Sequence, residues 1–227
     1  MHRLLNIIKN NKFSLIASLP ANDYRLAQAA WDNGADAVKV HINVEHRASG
    51  TSFGSYAKER ERLEKILEVS RGPVGIVAGG GPEPAERDIG KAVGAGFDFI
   101  SIYAHHAALG LLEPGVTRMF AADYSYSMDE IRRLERYADI LEASVIAPDN
   151  YGDRLNLRDL VKYGRLRDAV SIPVVIPTQK NIIPAEVQLL CEAGASAIMI
   201  GAIVAGKTAD SYGRATAVFR KAIDAIR

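Results

Sequence analysis

Cysteine, long apolar runs and an excess of one charge are all missing from this sequence. The 227 residues include one cysteine, Cys191, which excludes an internal disulfide and a cysteine-based metal cluster. Lys and Arg number 28 against 27 Asp and Glu. Without a concentrated basic field we expect no nucleic-acid partner and no membrane surface as a partner. No apolar run reaches the ~20 residues of a membrane span, and the first nine residues are too interrupted for a signal peptide. We therefore expect a soluble, cytoplasmic protein.

Short β-branched runs alternate with amphipathic stretches along the chain. The pattern predicts eight strands, at residues 13–19, 37–44, 74–78, 97–103, 117–123, 140–146, 173–177 and 197–200. Most segments between them have helical spacing, although the link 104–116 shows little of it. Eight β/α units over residues 1–227 close best as a single-domain (β/α)₈ TIM barrel, an α/β fold. A doubly wound open sheet is the alternative.

A local repeat supports this alternation. Residues 33–40, 95–102 and 193–200 resemble one another. The second residue of each segment is a glycine: Gly34, Gly96 and Gly194. Glycine adopts the left-handed conformation that ends a helix, and an apolar run follows at once in each copy. The repeat therefore predicts three copies of the same helix-to-strand turn.

The second predicted strand carries polar residues on one face. Side chains alternate along a strand, so that if Val38, Val40, Ile42 and Val44 face the helices, the residues between them face the barrel lumen: Lys39, His41, Asn43 and Glu45. Burying a Lys or His side chain lowers the stability of the fold by roughly several kcal/mol unless hydrogen-bonding or charged partners compensate. We interpret Lys39 and His41 as candidate catalytic residues and Asn43 as a candidate substrate-binding residue. A solvated edge face is the alternative, but a closed barrel has no edge.

The sixth predicted strand supplies a counterpart for Lys39. The same parity turns Glu142 and Ser144 inward, and a carboxylate there needs a cation or a hydrogen-bond donor. A Lys39–Glu142 pair across the lumen could exchange protons with a substrate. A purely structural buried ion pair would give the same sequence pattern.

The fourth and fifth predicted strands add further inward residues. Parity places Tyr103 and His105 on the lumen side of one and Asp123 at the end of the other. We interpret Tyr103, His105 and Ser144 as substrate-binding candidates and Asp123 as a catalytic candidate. His41, His105, Asp123 and Glu142 form a conceivable set of divalent-metal ligands, but no fixed-spacing motif supports it. We therefore expect no cofactor.

The last two units carry a candidate phosphate site. Gly201 and Ala202 directly follow the eighth strand, where phosphate-binding barrels open a short extra helix whose free backbone amides hold the anion. Thr178, Gln179 and Lys180 in the preceding loop would supply further donors. A tight turn that needs small residues is the alternative. The long polar segment 45–55 after the second strand is a candidate lid, from which Arg47 would meet an anionic substrate.

Several segments near the end of the chain resemble the phosphate-binding, ribulose-phosphate-type barrels, and within them N-acylmannosamine-6-phosphate 2-epimerase. The similar segments are 174–182, 192–195, 200–203 and 219–226. The resemblance implies a barrel enzyme that moves a proton on a sugar phosphate, with a lysine at the end of strand three and a glutamate on a late strand. Here strand three ends in Ala78 and Gly79, so that Lys39 would replace that lysine, and Tyr103 stands where the family has an aspartate.

Three functional hypotheses follow. The first is an enzyme on a small phosphorylated sugar or keto acid, either an isomerase or epimerase that works by proton transfer or a lyase. The second is a class I aldolase or synthase in which Lys39 forms a Schiff base. The third is a barrel that binds a phosphorylated metabolite without catalysis. Apolar helix faces on the outside of the barrel are compatible with a homodimer, but fix no interface.

Overall fold

The chain folds as a closed (β/α)₈ barrel. The computed structural model describes residues 2–112 and 115–227. Ten strands occur in these residues: β1 (Ser14–Ser18), β2 (Ala37–His41), β3 (Val44–His46), β4 (Thr51–Phe53), β5 (Val74–Val77), β6 (Phe99–Tyr103), β7 (Thr117–Asp123), β8 (Ile140–Ser144), β9 (Val174–Pro177) and β10 (Ala197–Ile200). Eight of them are parallel and close in the order β1-β10-β9-β8-β7-β6-β5-β2, while β3 and β4 form a separate antiparallel hairpin. The predicted TIM barrel is confirmed, and the open-sheet alternative is wrong.

Helices surround the barrel. They are α1 (Arg3–Asn10), α2 (Tyr24–Asp32), α3 (Tyr56–Glu68), α4 (Pro82–Ala95), α5 (Met128–Leu134), α6 (Leu157–Ala169), α7 (Val187–Glu192), α8 (Ala202–Ala205) and α9 (Ala209–Asp224). Between β6 and β7 the described residues form only 3₁₀ turns, at Ala104–His106 and Leu109–Leu112, in line with the weak helical pattern of that link. Residues 113 and 114 of the predicted link lie outside the described residues. No helix among the described residues is long and apolar enough to cross a membrane.

The three repeated glycines all end helices in the expected way. Gly34, Gly96 and Gly194 have φ of 90°, 103° and 90°, values that L side chains rarely adopt. Each turn leads into a barrel strand at the next apolar run. The repeat therefore marks the helix-to-strand turns correctly.

An apolar plug fills the N-terminal half of the lumen. Its buried members are Leu4, Ile8, Ile16, Ala37, Phe99, Met119, Ile140, Val175, Ala197 and Met199. Two of them belong to α1, which thus covers the bottom of the barrel. Gly75 makes room for the Phe99 ring, because a Cβ there would lie 2.1 Å from it. With the bottom closed and packed, a ligand can enter the lumen only from the C-terminal ends of the strands.

The β3–β4 hairpin replaces part of the predicted second strand. The prediction that residues 37–44 form one strand is wrong beyond His41, because the chain turns at Asn43, whose φ is 53°. Asn is among the few residues that tolerate this left-handed conformation. From that corner the hairpin rises over the C-terminal mouth of the barrel, where a lid was expected.

Candidate active site

A cavity of about 420 Å³ opens at the C-terminal ends of the strands. This end of a TIM barrel is where catalytic groups lie. Eleven of the thirteen predicted site residues line it: Lys39, His41, Tyr103, His105, Asp123, Glu142, Ser144, Thr178, Gln179, Gly201 and Ala202. The structure thus brings together residues from six barrel strands and the loops that follow them. Asn43 and Lys180 are not among its lining residues.

The side chains of Lys39 and Glu142 meet across the lumen. They stand on β2 and β8, which are four strands apart in either direction around the barrel. The Lys39 Nζ lies 3.4 Å from the Glu142 Oε2, and the two side chains are only 7% and 8% exposed. The predicted pair therefore exists, and it forms part of the cavity wall rather than being sealed in the apolar plug.

Two hydroxyl groups fix the Glu142 carboxylate. Ser101 donates to Oε2 at 2.7 Å, and Ser144 donates to Oε1 at 2.9 Å. Ser101 also lies 3.4 Å from the Lys39 Nζ. A buried carboxylate needs such donors, and here each oxygen has its own. The carboxylate is thus held in one orientation at the edge of the cavity.

His41 lies above the ion pair, beneath the hairpin. Its ring stacks on Phe53 with centroids 4.9 Å apart and lies 4.4 Å from the His46 ring. The His41 Nδ1 is buried with no hydrogen-bond partner among the described residues. Burial, together with His46 and Lys39 nearby, lowers the pKa of His41 well below its usual value. His41 is therefore a neutral imidazole at physiological pH.

Histidine is concentrated in this cavity. Four of the five histidines in the sequence line it: His41, His46, His105 and His106. Burial and the Lys39 ammonium lower the pKa of His46 to about 4, and burial with neighbouring His105 lowers the pKa of His106. Yet no three His, Cys, Asp or Glu side chains of the described residues are grouped to hold a metal ion. The conceivable ligand set of His41, His105, Asp123 and Glu142 is therefore not assembled here.

Aromatic rings form the wall above β6. Tyr103 stacks on His105 with centroids 5.2 Å apart, and His106 meets both rings edge to face. Burial raises the pKa of Tyr103, and the neighbouring Tyr151 and Glu142 raise it further. The Tyr103 hydroxyl therefore remains a hydrogen-bond donor. Asp123 lies beside this wall, at the end of the neighbouring strand β7, where it accepts from the backbone and hydroxyl of Ser125 at 2.9 and 2.6 Å.

The end of β10 has the shape expected of an anion site. A four-residue helix, α8, begins at Ala202 directly after Gly201, and both residues line the cavity. The Gly201 N–H donates to the Thr178 Oγ1 at 2.9 Å, so that it is already used within the protein. The first amides of a helix have no intrahelical acceptor, which leaves Ala202 and Ile203 as donors for a ligand. Thr178 accepts this bond and so keeps its own hydroxyl proton as a donor.

Gln179 lines the cavity but its amide is committed. It donates to the Ser144 carbonyl at 3.1 Å and to the Tyr151 hydroxyl, and it accepts from the Ile146 N–H at 3.1 Å. These bonds tie the end of β8 to the loop after β9. Both N–H groups of its side-chain amide are therefore used within the protein. Its role as an anion donor stays a prediction.

Two predicted site residues do not line the cavity. Asn43 faces away from the cavity because β2 ends before it: its amide donates to Asp88 at 2.9 Å and to the carbonyls of Ala78 and Pro84 at 3.3 and 3.4 Å. The Lys180 ammonium is buried between Asp153 and Asp159, at 3.6 and 3.8 Å. Both side chains are instead bonded to segments around the cavity.

Some cavity residues were outside the predicted set. His46 comes from the hairpin and Tyr151 from the loop after β8, whereas Arg47, which was expected on the lid, also lines the cavity. Two short segments, 44–46 and 51–53, are separated by four residues that end in Ser49 and Gly50, a hairpin signal that could have identified His46. Nothing in the local sequence marks Tyr151.

Comparison with known proteins supports the fold. No family model matches the chain, and no curated protein matches it. Solved structures do. Thiamine phosphate pyrophosphorylase from Pyrococcus furiosus is 15% identical, with a TM-score of 0.68 over 95% of this chain and 98% of that chain. A mutant tryptophan synthase α-subunit from P. furiosus is 11% identical, with a TM-score of 0.68 over 93% and 98%. The YdjI aldolase from Escherichia coli K12 is 18% identical, with a TM-score of 0.59 over 99% and 95%. At these identities the similarity establishes the barrel fold alone.

Proposed function

We propose that this chain is an enzyme that moves a proton on a small phosphorylated sugar or keto acid. The observation that carries the proposal is the Lys39–Glu142 pair, which crosses the lumen and lines an open cavity. An ion pair that served stability alone would gain nothing from exposure to a ligand-sized space. Similar solved structures include a pyrophosphorylase and an aldolase by name, which supports an enzyme.

The pair supplies both groups that enolisation needs. The Glu142 carboxylate removes a proton from the carbon next to a carbonyl group, and the C–H electron pair becomes the C=C bond of an enolate. The Lys39 ammonium hydrogen-bonds the carbonyl oxygen and stabilises the negative charge that develops there. For an isomerisation, Lys39 gives a proton to that oxygen and takes the proton of the neighbouring hydroxyl group, while Glu142 returns its proton to the neighbouring carbon. An epimerisation requires that the enolate turn over in the cavity, so that Glu142 returns the proton to the opposite face of the same carbon.

The remaining cavity groups would orient the substrate. A phosphoryl group would accept from the Ala202 and Ile203 amides and from the Thr178 hydroxyl. The neutral His41 and the Tyr103 hydroxyl would hydrogen-bond oxygens of the carbon chain, and Arg47 on the hairpin would meet the anion from above. Asp123, with its carboxylate held by Ser125, would accept from a substrate hydroxyl.

A second candidate function makes Lys39 the nucleophile of an aldolase or synthase. The favouring observation is that Lys39 is the one lysine among the described residues that lines the cavity. Its ammonium would first give a proton to Glu142. The resulting amine would then attack a substrate carbonyl, and loss of water from the adduct would form a Schiff base. Borohydride reduction with substrate separates the candidates, because only this one predicts a mass increase on Lys39.

Deuterium exchange tests the leading proposal. The protein is incubated in D₂O with ribulose 5-phosphate, N-acetylmannosamine 6-phosphate or a 2-keto-3-deoxy acid phosphate, and loss of the C–H signal next to the carbonyl is followed by proton NMR. We expect exchange with at least one substrate, and a loss of about 10²-fold or more in Lys39→Met and Glu142→Gln.

An exposed ion pair provides the matched control. Lys65 and Glu61 lie 2.8 Å apart on α3, where both side chains are more than half exposed. Lys65→Met and Glu61→Gln should exchange at the wild-type rate. No exchange with any member of the panel, or full exchange in Glu142→Gln, would contradict proton transfer. Thermal stabilisation by one of these phosphates without exchange would instead favour the non-catalytic binding barrel.

A further inference from the structure

The β3–β4 hairpin contributes five consecutive residues to the cavity wall, 44–48. It also presses His46 and Phe53 against the His41 ring. The position of this hairpin therefore decides both the shape of the cavity and the surroundings of His41. A two-stranded hairpin is marginally stable by itself, so that other parts of the chain must hold it there.

Asn22 takes the place of a missing strand beside His41. The pairing of β1 with β2 ends at Ser18 and Lys39, which leaves the backbone of His41 without a strand partner on that side. The Asn22 side chain fills this position: its Nδ2 donates to the His41 carbonyl at 2.7 Å, and its Oδ1 accepts from the His41 N–H at 3.2 Å. The amide thus makes the two bonds that the backbone of a neighbouring strand would make.

Glu59 extends this contact to the base of the hairpin. Its Oε2 accepts from the Asn22 Nδ2 at 3.1 Å, and its Oε1 accepts from the Gly54 N–H at 3.1 Å. Gly54 directly follows β4, and its carbonyl accepts from the Asn43 N–H at 2.8 Å. Asn22 and Glu59 are only 5% and 6% exposed, and neither of them lines the cavity.

We propose that Asn22 and Glu59 are positioning residues, which together lock the end of β2 to the base of the hairpin and so hold His41 and His46 together over the cavity. They act through the backbone of His41 and Gly54, and touch no ligand. Arg62 adds a third partner to the Glu59 carboxylate, 3.4 Å from Oε2, from the solvent side. This assignment does not depend on the proposed reaction.

The His46 ring reports on this lock without any substrate. It stays largely unprotonated in the fold because burial disfavours its charged form, and the Lys39 ammonium acts in the same direction while Glu142 opposes both. Loosening the hairpin admits water to the ring and must raise its pKa toward 6.5. Loss of global stability by itself leaves the pKa of the folded protein unchanged.

NMR titration of the histidine rings is the test. In the wild-type protein the pKa of His46 should lie near 4. It should rise toward 6.5 in Asn22→Ala and Glu59→Leu. It should rise less in Glu59→Gln than in Glu59→Leu, because the single amide oxygen can still accept from Gly54 although the bond from Asn22 is lost. Asn33→Ala is the matched control, since it also removes a bond from an Asn side chain to a carbonyl, at 2.8 Å, but at the other end of α2.

Hydrogen exchange of the Gly54 amide gives a second measurement, which can be made on every variant that still folds. This N–H should be protected in the wild type and in Glu59→Gln, and should exchange about tenfold faster or more when its acceptor is removed. The proposal is overturned if the wild-type Gly54 amide exchanges freely. It is also overturned if the His46 pKa is the same in Glu59→Leu as in the wild type, or if it rises equally in Asn33→Ala.

Discussion

The Lys39–Glu142 contact predicts non-additive stability changes, which a double-mutant cycle measures directly. Lys39→Met and Glu142→Leu each remove one charge and keep an apolar side chain of similar size, and the double variant removes both. If the two groups meet in the lumen, each single change leaves a charge in a site that excludes most of the solvent. The double change leaves none.

The structure also predicts the order of the two single effects. Removal of one partner from a buried ion pair costs about 3–5 kcal/mol. Glu142→Leu should fall near the lower end, about 3 kcal/mol, because the cavity lets water reach the Lys39 ammonium. Lys39→Met should cost less, about 1–2 kcal/mol, since Ser101 and Ser144 still donate to the carboxylate. The double variant should cost less than Glu142→Leu alone.

Urea unfolding at pH 7 provides the assay, followed by far-ultraviolet circular dichroism and by the fluorescence of Trp31. Coincidence of the two transitions is required, so that each midpoint reports one free energy of unfolding. Additive effects in the double variant would show that the two side chains do not interact. A larger effect for Lys39→Met than for Glu142→Leu would contradict the role given to the two serines.

Three further predictions concern the hairpin and the barrel floor. Because the pKa of His46 falls from 6.5 to about 4 on folding, the unfolded chain binds the proton first, and stability should decline as pH drops from about 6.5 to 4. At about 1.36 kcal/mol per pKa unit, the loss is at most about 3.4 kcal/mol. Urea unfolding across this pH range should show a shallower decline in His46→Gln, and an equal slope would refute the assignment. Asn43→Ala should lower the free energy of unfolding by about 2 kcal/mol or more, because alanine strains the left-handed φ and loses the bond to Asp88. Asn43→Gly should lower it less, since glycine tolerates this φ. The reverse order in urea unfolding would argue against backbone strain. Gly75→Ala should lower the free energy of unfolding by about 1–3 kcal/mol, because the added methyl group displaces the Phe99 ring. A thermal midpoint equal to that of the wild type would mean that the apolar plug can repack without loss of stability.

Side-chain parity predicted the floor of the site well, because a strand in a closed barrel allows only two directions. Lys39, His41, Tyr103, Glu142 and Ser144 all lie where their position in a strand requires. The same rule failed at Asn43, since it holds only while the strand continues. Asn43 permits the turn because asparagine tolerates a positive φ. The sequence alone does not show that the chain turns there.

Long-range partners were the other limit of the sequence. Lys180 follows a barrel strand and has the chemistry of an anion ligand, yet the carboxylates of Asp153 and Asp159 engage it from other segments. Asn22 and Glu59 were not recognised for the converse reason. Each is an ordinary residue at the start of a helix, and its importance arises only when folding brings His41 and Gly54 beside it.

A crystal structure of the protein with inorganic phosphate tests the central claim most directly. The account predicts an anion within hydrogen-bond distance of the Ala202 or Ile203 amide, in a cavity that continues without obstruction to the Lys39 ammonium and the Glu142 carboxylate. Phosphate bound only outside this cavity, or Lys39 and Glu142 directed toward the surrounding helices, would contradict it.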